Sequence, residues 1–168
     1  GFDTYRYQGP GKIVADMAAG TVAKFDTLGA AGGTDQLAAI EYVAGGDGND
    51  TLNGGAGNDQ FHGGRGTDLV NGGTGDDVYA IRSAGISAFE AAGEGADVAF
   101  VFVDGWASFS SIETISLQGT AIRVNGGNAH EVIYANATLG SNIFASFGDD
   151  TLVGGAGADT LGGGDGKD

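Results

Sequence analysis

The feature that most limits how this chain can fold is a nine-residue period running from Gly45 to Ala80. Four units stand in register there: GGDGNDTLN, GGAGNDQFH, GGRGTDLVN and GGTGDDVYA. Each has glycine at places one, two and four, aspartate at place six and an apolar residue at place eight. The aspartates are Asp50, Asp59, Asp68 and Asp77, and the apolar residues are Leu52, Phe61, Val70 and Tyr79. A more worn array closes the chain, with ASFGDDTLV from Ala145, GGAGADTLG from Gly154, and the start of a further unit ending at Asp168. Its matching aspartates are Asp150 and Asp159.

Glycine tolerates positive φ and close backbone approach, so the first six residues of a unit can curl into a tight turn. The last three are extended and point one large side chain inward. A unit is therefore half a coil, and two units of opposite direction close a coil of eighteen residues. Coils of this kind stack at about 4.8 Å, as parallel strands do. The expected fold is an all-β solenoid of parallel strands. Its turns alternate sides, so turn n lies beside turn n+2, which predicts Asp50 beside Asp68 on one flank and Asp59 beside Asp77 on the other.

Carboxylates stacked this closely repel, and glycine turns carry no apolar surface to hold them together. A hard cation between successive turns answers both problems. Calcium (Ca2+) takes six to eight oxygens at about 2.3–2.6 Å, from carboxylates and backbone carbonyls alike. Each turn offers its place-six carboxylate and the carbonyls of its odd-numbered places. The candidate ligands are Gly45, Asp47 and Asn49 with Asp50, then Gly54, Ala56 and Asn58 with Asp59. The next two turns offer Gly63, Arg65 and Thr67 with Asp68, and Gly72, Thr74 and Asp76 with Asp77. In the closing array they are Asp150, Gly154, Ala156, Asp159 and Asp168. Magnesium demands stricter octahedral geometry and keeps its waters. Zinc prefers nitrogen and sulfur, whereas the chain has no cysteine and two histidines.

Thirty-five glycines in 168 residues is about three times the usual share. With a net charge of −15, such a composition ordinarily means disorder. Here glycine and acid both sit at fixed places in a period, which points instead to order that depends on a metal. The acidic balance argues against nucleic acid and against anionic membrane surfaces as partners. No apolar run approaches the roughly 20 residues of a transmembrane helix, so no membrane insertion is expected. The chain starts at Gly1 without a signal peptide and stops at Asp168 in mid-repeat, as an excised piece of a longer protein would.

In chain order, residues 1–44 are expected to form an N-terminal β cap, a hairpin or a coil of the same superhelix. Ile13, Ala15, Met17, Val22 and Phe25 supply its apolar side, and Leu37, Ile40 and Val43 fit a short helix or a strand entry. Residues 45–80 form the first calcium-binding array. Residues 81–144 read as a drier β-helical middle with worn repeats, in which Gly93, Gly95 and Asp97 keep the spacing and Glu131 and Asn142 stand where aspartate would. The segments IEYV at 40–43 and IETI at 112–115 read as one structural element used twice. Residues 145–168 form the second, truncated array.

These units resemble the nonapeptide repeat of the RTX (repeats-in-toxin, haemolysin-type) calcium-binding family. The four units at 45–80 and the block at 145–168 match its motif, and DQLAAIEYV and EAAGEGADV resemble elements that flank such repeats. In the second array Ala145-Ser146 replace the leading glycines. The resemblance implies a parallel β-roll, secretion through type I machinery, an extracellular or cell-surface location in a bacterium, and a role as the calcium-triggered part of a larger host polypeptide. Such a module folds on calcium binding after export and stabilises or presents its neighbours.

Three functions of different class fit the residues: a calcium-dependent structural module without catalysis, an adhesin or polysaccharide-binding segment, and a β-helical enzyme acting on polysaccharide. A row of exposed aromatics along the middle coils would favour the second. No catalytic set emerges from the spacing. His62 and His130 read as surface residues, Asp76 and Asp149 as ligands or solvated neighbours, and Trp106 as core or cap. A phosphate loop needs a following helix and usually a lysine, and here strands and aspartates follow.

Overall fold

The computed structural model describes residues 3–36, 40–91, 93–103 and 108–168. The expectations for Leu37 and Trp106 lie outside the described residues. The others form strands β1 (Thr4–Arg6), β2 (Ile13–Asp16), β3 (Thr21–Phe25), β4 (Ala31–Gln36), β5 (Tyr42–Ala44) and β6 (Thr51–Ala56). Then follow β7 (Gln60–His62), β8 (Leu69–Thr74), β9 (Val78–Ile81), β10 (Ser87–Phe89), β11 (Val98–Val101) and β12 (Ser108–Ser110). The last are β13 (Thr114–Leu117), β14 (Arg123–Asn125), β15 (Val132–Tyr134), β16 (Asn142–Phe147), β17 (Thr151–Val153) and β18 (Thr160–Asp165).

Odd-numbered strands from β5 onward, with β1 before them, build one eight-stranded parallel sheet in the order β1-β5-β7-β9-β11-β13-β15-β17. The even-numbered strands face it as β12-β10-β8-β6-β2 and, further along, β14-β16-β18. This is the all-β solenoid of stacked parallel coils that the half-coil reading requires, and no helix occurs among the described residues.

The place-eight side chains meet between the two sheets. Val43, Phe61, Tyr79, Ile115 and Ile133 come from one side, and Leu52, Val70, Val124 and Ile143 from the other, all at most 2 % exposed. The rings of Phe61 and Tyr79 stack at 5.5 Å between centroids. Short strands contribute one or two large inward residues each, two on β9 (Tyr79 and Ile81) and on β13 (Ile115 and Leu117), so the core grows coil by coil and not by the closure of a globule.

The first coil carries an insertion. Strands β2, β3 and β4 pair antiparallel, so a hairpin covers the edge of β2 that faces away from the stack. Lys24 and Asp35 pair across it at 2.7 Å, and Asp35 also accepts the Tyr5 hydroxyl at 2.8 Å. The hairpin occupies an edge that would otherwise offer unpaired backbone groups to another chain.

Candidate metal centre

The three glycines of a unit serve different ends. At place two, and at place four except for Gly48, the backbone is left-handed, as at Gly64 (φ 99°) and Gly66 (φ 112°), where a Cβ is disfavoured. Place one is different, because Gly45, Gly54, Gly63 and Gly72 do not have positive φ. A Cβ at Gly45 would collide with Asp50 Oδ2 and with the Gly63 carbonyl of the next coil. At Gly54 it would collide with Asp59 Oδ2 and the Gly72 carbonyl. Place one is glycine so that the place-six carboxylate and a carbonyl of the following coil can share one gap.

The carboxylates of Asp50, Asp68, Asp77 and Asp150 are each anchored by one oxygen. Asp68 Oδ1 accepts the Asp50 N–H at 2.9 Å, and Asp77 Oδ1 accepts the Asp59 N–H at 2.7 Å. Asp50 Oδ1 accepts the Ile13 N–H at 2.7 Å. The other oxygen, Oδ2 of Asp50, Asp59, Asp68, Asp77 and Asp150, is buried without a hydrogen-bond partner. These side chains are at most 4 % exposed. A buried carboxylate oxygen without a partner is costly unless a charge meets it. Burial pushes the Asp50 and Asp59 carboxyls up to about 7, with Asp68 and Asp77 respectively adding repulsion. It pushes those of Asp68 and Asp77 up to about 6.

Among the described residues no three histidine, cysteine, aspartate or glutamate side chains converge on one point. A cation in these gaps therefore draws on carbonyls as well as on one or two carboxylates. That is an oxygen-only donor set, which suits calcium and suits zinc poorly. The residues present fit the ion: orphaned anionic oxygens, a place-one glycine gap beside those of Asp50, Asp59, Asp68 and Asp77, and at Gly45 and Gly54 a carbonyl from the adjoining coil.

Places three and five lie on the rim. Asp47, Asn49, Ala56, Asn58, Arg65, Thr67, Thr74 and Asp76 are all exposed. Their turn contacts run the opposite way to those at place six: Asn49 Oδ1 accepts the Thr67 N–H at 2.9 Å and Asn58 Oδ1 accepts the Asp76 N–H at 3.0 Å. Asp76 does the same for Ala96 and Asp149 for Lys167. His130 joins this rail, its Nδ1 accepting the Asp149 N–H at 2.7 Å. In the closing array Asp159 is half-buried, and its Oδ2 is taken by the Gly155 N–H at 2.8 Å. Exposed Ala156 donates its N–H to the Ala137 carbonyl, and a Cβ at Gly154 would touch Asp159 Oδ2. Exposed Asp168 accepts the Asp150 N–H at 3.1 Å.

One arrangement escaped the nine-residue pattern. The residue before every strand of the eight-stranded sheet is acidic: Asp3, Glu41, Asp59, Asp77, then Asp97, Glu113, Glu131 and Asp150. The rungs are joined by the same bond, with Asp77 N–H to Asp97 Oδ1 at 2.8 Å, Asp97 N–H to Glu113 Oε2 at 2.9 Å, and Glu131 N–H to Asp150 Oδ1 at 2.8 Å. The ladder thus crosses the middle segment. On the opposite flank, where Asp50 and Asp68 stand in the first array, the next rung is buried Ile86, and Ile122 and Ser141 precede Asp159. There the buried Asn136 amide donates to the Gly119 and Ala121 carbonyls.

The RTX calcium-binding nonapeptide repeat matches residues 44–79 and 140–168, in four copies. Neither a curated protein nor a solved structure matches the chain.

Proposed function

Since this chain carries RTX calcium-binding nonapeptide repeats, we propose that it is a folding module whose order depends on calcium, set within a larger secreted protein. The row of buried, partnerless Oδ2 atoms at Asp50, Asp59, Asp68 and Asp77 carries this reading. Bound calcium supplies the positive charge that lets these carboxylates stay ionised between turns. Asp50, Asp59, Asp68, Asp77 and Asp150 hold it, with carbonyls such as those of Gly63 and Gly72.

The side chains of Asp50, Asp68, Asp77, Asp150 and Asp159 also tie their turns to the preceding coil through Oδ1, so coils order one upon another. A ligand that binds only the folded form stabilises it by RT ln(1 + [L]/Kd), about 2.7 kcal/mol at a hundredfold excess over Kd. Extracellular calcium modules work at about 10⁻⁴–10⁻³ M, far above cytosolic calcium. Inside a cell the acidic chain repels itself and stays unfolded; outside, its turns close. Export by a type I route and stabilisation or display of a host polypeptide fit that behaviour. No helix among the described residues is long and apolar enough to cross a membrane.

The test is a circular dichroism titration of calcium-stripped protein, with magnesium as control. A cooperative rise of β signal at sub-millimolar to millimolar calcium, absent with magnesium, is expected. A chain fully folded in chelator would sink the reading. The polysaccharide-binding alternative asked for a row of exposed aromatics. Among the described residues the exposed ones are Tyr134, Phe144 and Phe147, divided between the two faces.

A further inference from the structure

We propose that Glu131 and Asp150 hold a calcium ion of their own, between the turns at 126–131 and 145–150. Glu131 lies outside both segments that match the repeat. The proposal rests on the calcium-module reading and extends it to a residue the motif does not specify.

Both side chains are deeply buried, Glu131 at 1 % and Asp150 at 4 % exposure. Each is fixed through one oxygen. Glu131 Oε1 accepts the N–H groups of Gly127 and Ala129 at 2.9 and 3.2 Å. Asp150 Oδ1 accepts the Glu131 N–H at 2.8 Å. The remaining oxygens, Glu131 Oε2 and Asp150 Oδ2, have no hydrogen-bond partner. Burial raises the Glu131 carboxyl, and the Asp150 carboxylate lying against it raises it further.

Two buried like charges in contact need something positive between them. The Ala129 carbonyl points at Gly148, where a Cβ would collide with it and approach Asp150 Oδ1. At place one of the same turn a Cβ on Gly126 would collide with the Ala145 carbonyl of the next coil, as one on Gly45 would with the Gly63 carbonyl, so the turn also offers a carbonyl oxygen. An all-oxygen set of this kind suits a hard cation. Glutamate stands at place six, where aspartate is the rule, and its carboxylate reaches back to the amides of its own turn. This is the same division of labour as at Asp50 and Asp68, one oxygen anchored and one bare, at a turn in which Ala129 replaces the place-four glycine.

The experiment counts calcium ions per folded chain by native mass spectrometry and equilibrium dialysis, for wild type, Glu131→Gln and Glu131→Leu. Glutamine keeps the acceptor for Gly127 and Ala129 while removing the charge. Leucine imitates the opposite flank, where Ile86 fills the equivalent place without an ion; it keeps the test open if the glutamine variant fails to fold. Each folded variant is expected to bind one ion fewer than wild type, with the others bound as tightly as before. A folded variant that keeps the full count overturns the proposal and leaves a proton shared between Glu131 and Asp150 in its place. Wild type that binds no calcium at all would overturn the module reading itself, which separates the two failures.

Discussion

The two flanks of the solenoid share a backbone and differ in what closes each turn. On the flank leading into the eight-stranded sheet, every turn ends in an acid, from Glu41 through Asp97 and Glu113 to Asp150. On the other, Asp50 and Asp68 give way to Ile86 and Ile122. A buried isoleucine is satisfied by packing alone. A buried carboxylate with one bare oxygen needs a cation or a proton. Bare buried carboxylate oxygens stand on both flanks in the first array, at Asp50, Asp59, Asp68 and Asp77, and further along on the acidic flank, at Glu131 and Asp150, while the middle coils are apolar on one side and acidic on the other.

The sharpest way to break this contrast is Ile86→Asp, which writes the acidic flank onto the apolar one. Ile86 is 1 % exposed, so the change should destabilise the fold at low calcium by about 3–5 kcal/mol. Calcium should restore part of that, because the new carboxylate would stand next to Asp68. Thermal melts at low and at saturating calcium read this directly, and an equal loss in both would show that the place cannot accept a cation.

A smaller effect separates two aspartates. Asp77 has acids on both sides, Asp59 and Asp97, whereas Asp68 has Asp50 on one side and Ile86 on the other. Asp77→Ala should weaken two steps of the calcium titration and Asp68→Ala one, each losing about 2–3 kcal/mol of calcium-dependent stability. An unchanged titration in Asp68→Ala would count against its pairing with Asp50.

Acidity should also distinguish the ion-free from the loaded state. The buried carboxyls titrate at about 6 to 7 in the fold, against about 3.9 for an unfolded aspartate. A group raised in this way favours folding fully below the unfolded value and stops doing so as pH climbs through 6–7. Calcium-stripped protein should thus keep more β signal by circular dichroism at pH 5 than at pH 8. With calcium the order reverses, since ligation needs the deprotonated form. Smallest of all, Arg65→Ala should shift stability by no more than about 0.5 kcal/mol by denaturant titration, because Arg65 is exposed and meets its neighbour through its own N–H to the Gly46 carbonyl.

What could be read in the sequence follows from what the period fixes. Glycine and aspartate recur every nine residues because turn shape and carboxylate position repeat, so the solenoid and the four aspartates of the first array are visible without coordinates. Asp97 and Glu131 also stand where the worn repeats put an acid, but Glu113 and the continuous ladder are not visible, since its rungs stand 20, 16 and 19 residues from their bonded partners and no glycine turn precedes Glu113. A usable signal did exist: each of these acids directly precedes a short β-branched or apolar run, as in Glu41-Tyr-Val and Glu113-Thr-Ile. The place-five rail escaped for another reason. Asn49 and Asn58 look like solvated turn residues, and only adjacency of coils shows their oxygens meeting the next turn. Residues 31–36 carry two glycines and little apolar content, yet the hairpin partner β3 draws them into a strand.

The half-coil nature of the repeat sets a rule of parity for changes in length. Loss or gain of a whole coil, about eighteen residues, returns every later acid to the side it occupied, and the slips of one or two residues at Asp97, Glu113 and Asp150 are absorbed within turns. An odd number of nine-residue units would instead exchange the sides of everything downstream, setting Asp97 and Glu131 in line with Asp68 and the isoleucines in line with Asp77. Duplication can therefore lengthen such a chain in even steps without disturbing its charge pattern, whereas a single unit, harmless to the local turn, would cut the acidic column in two.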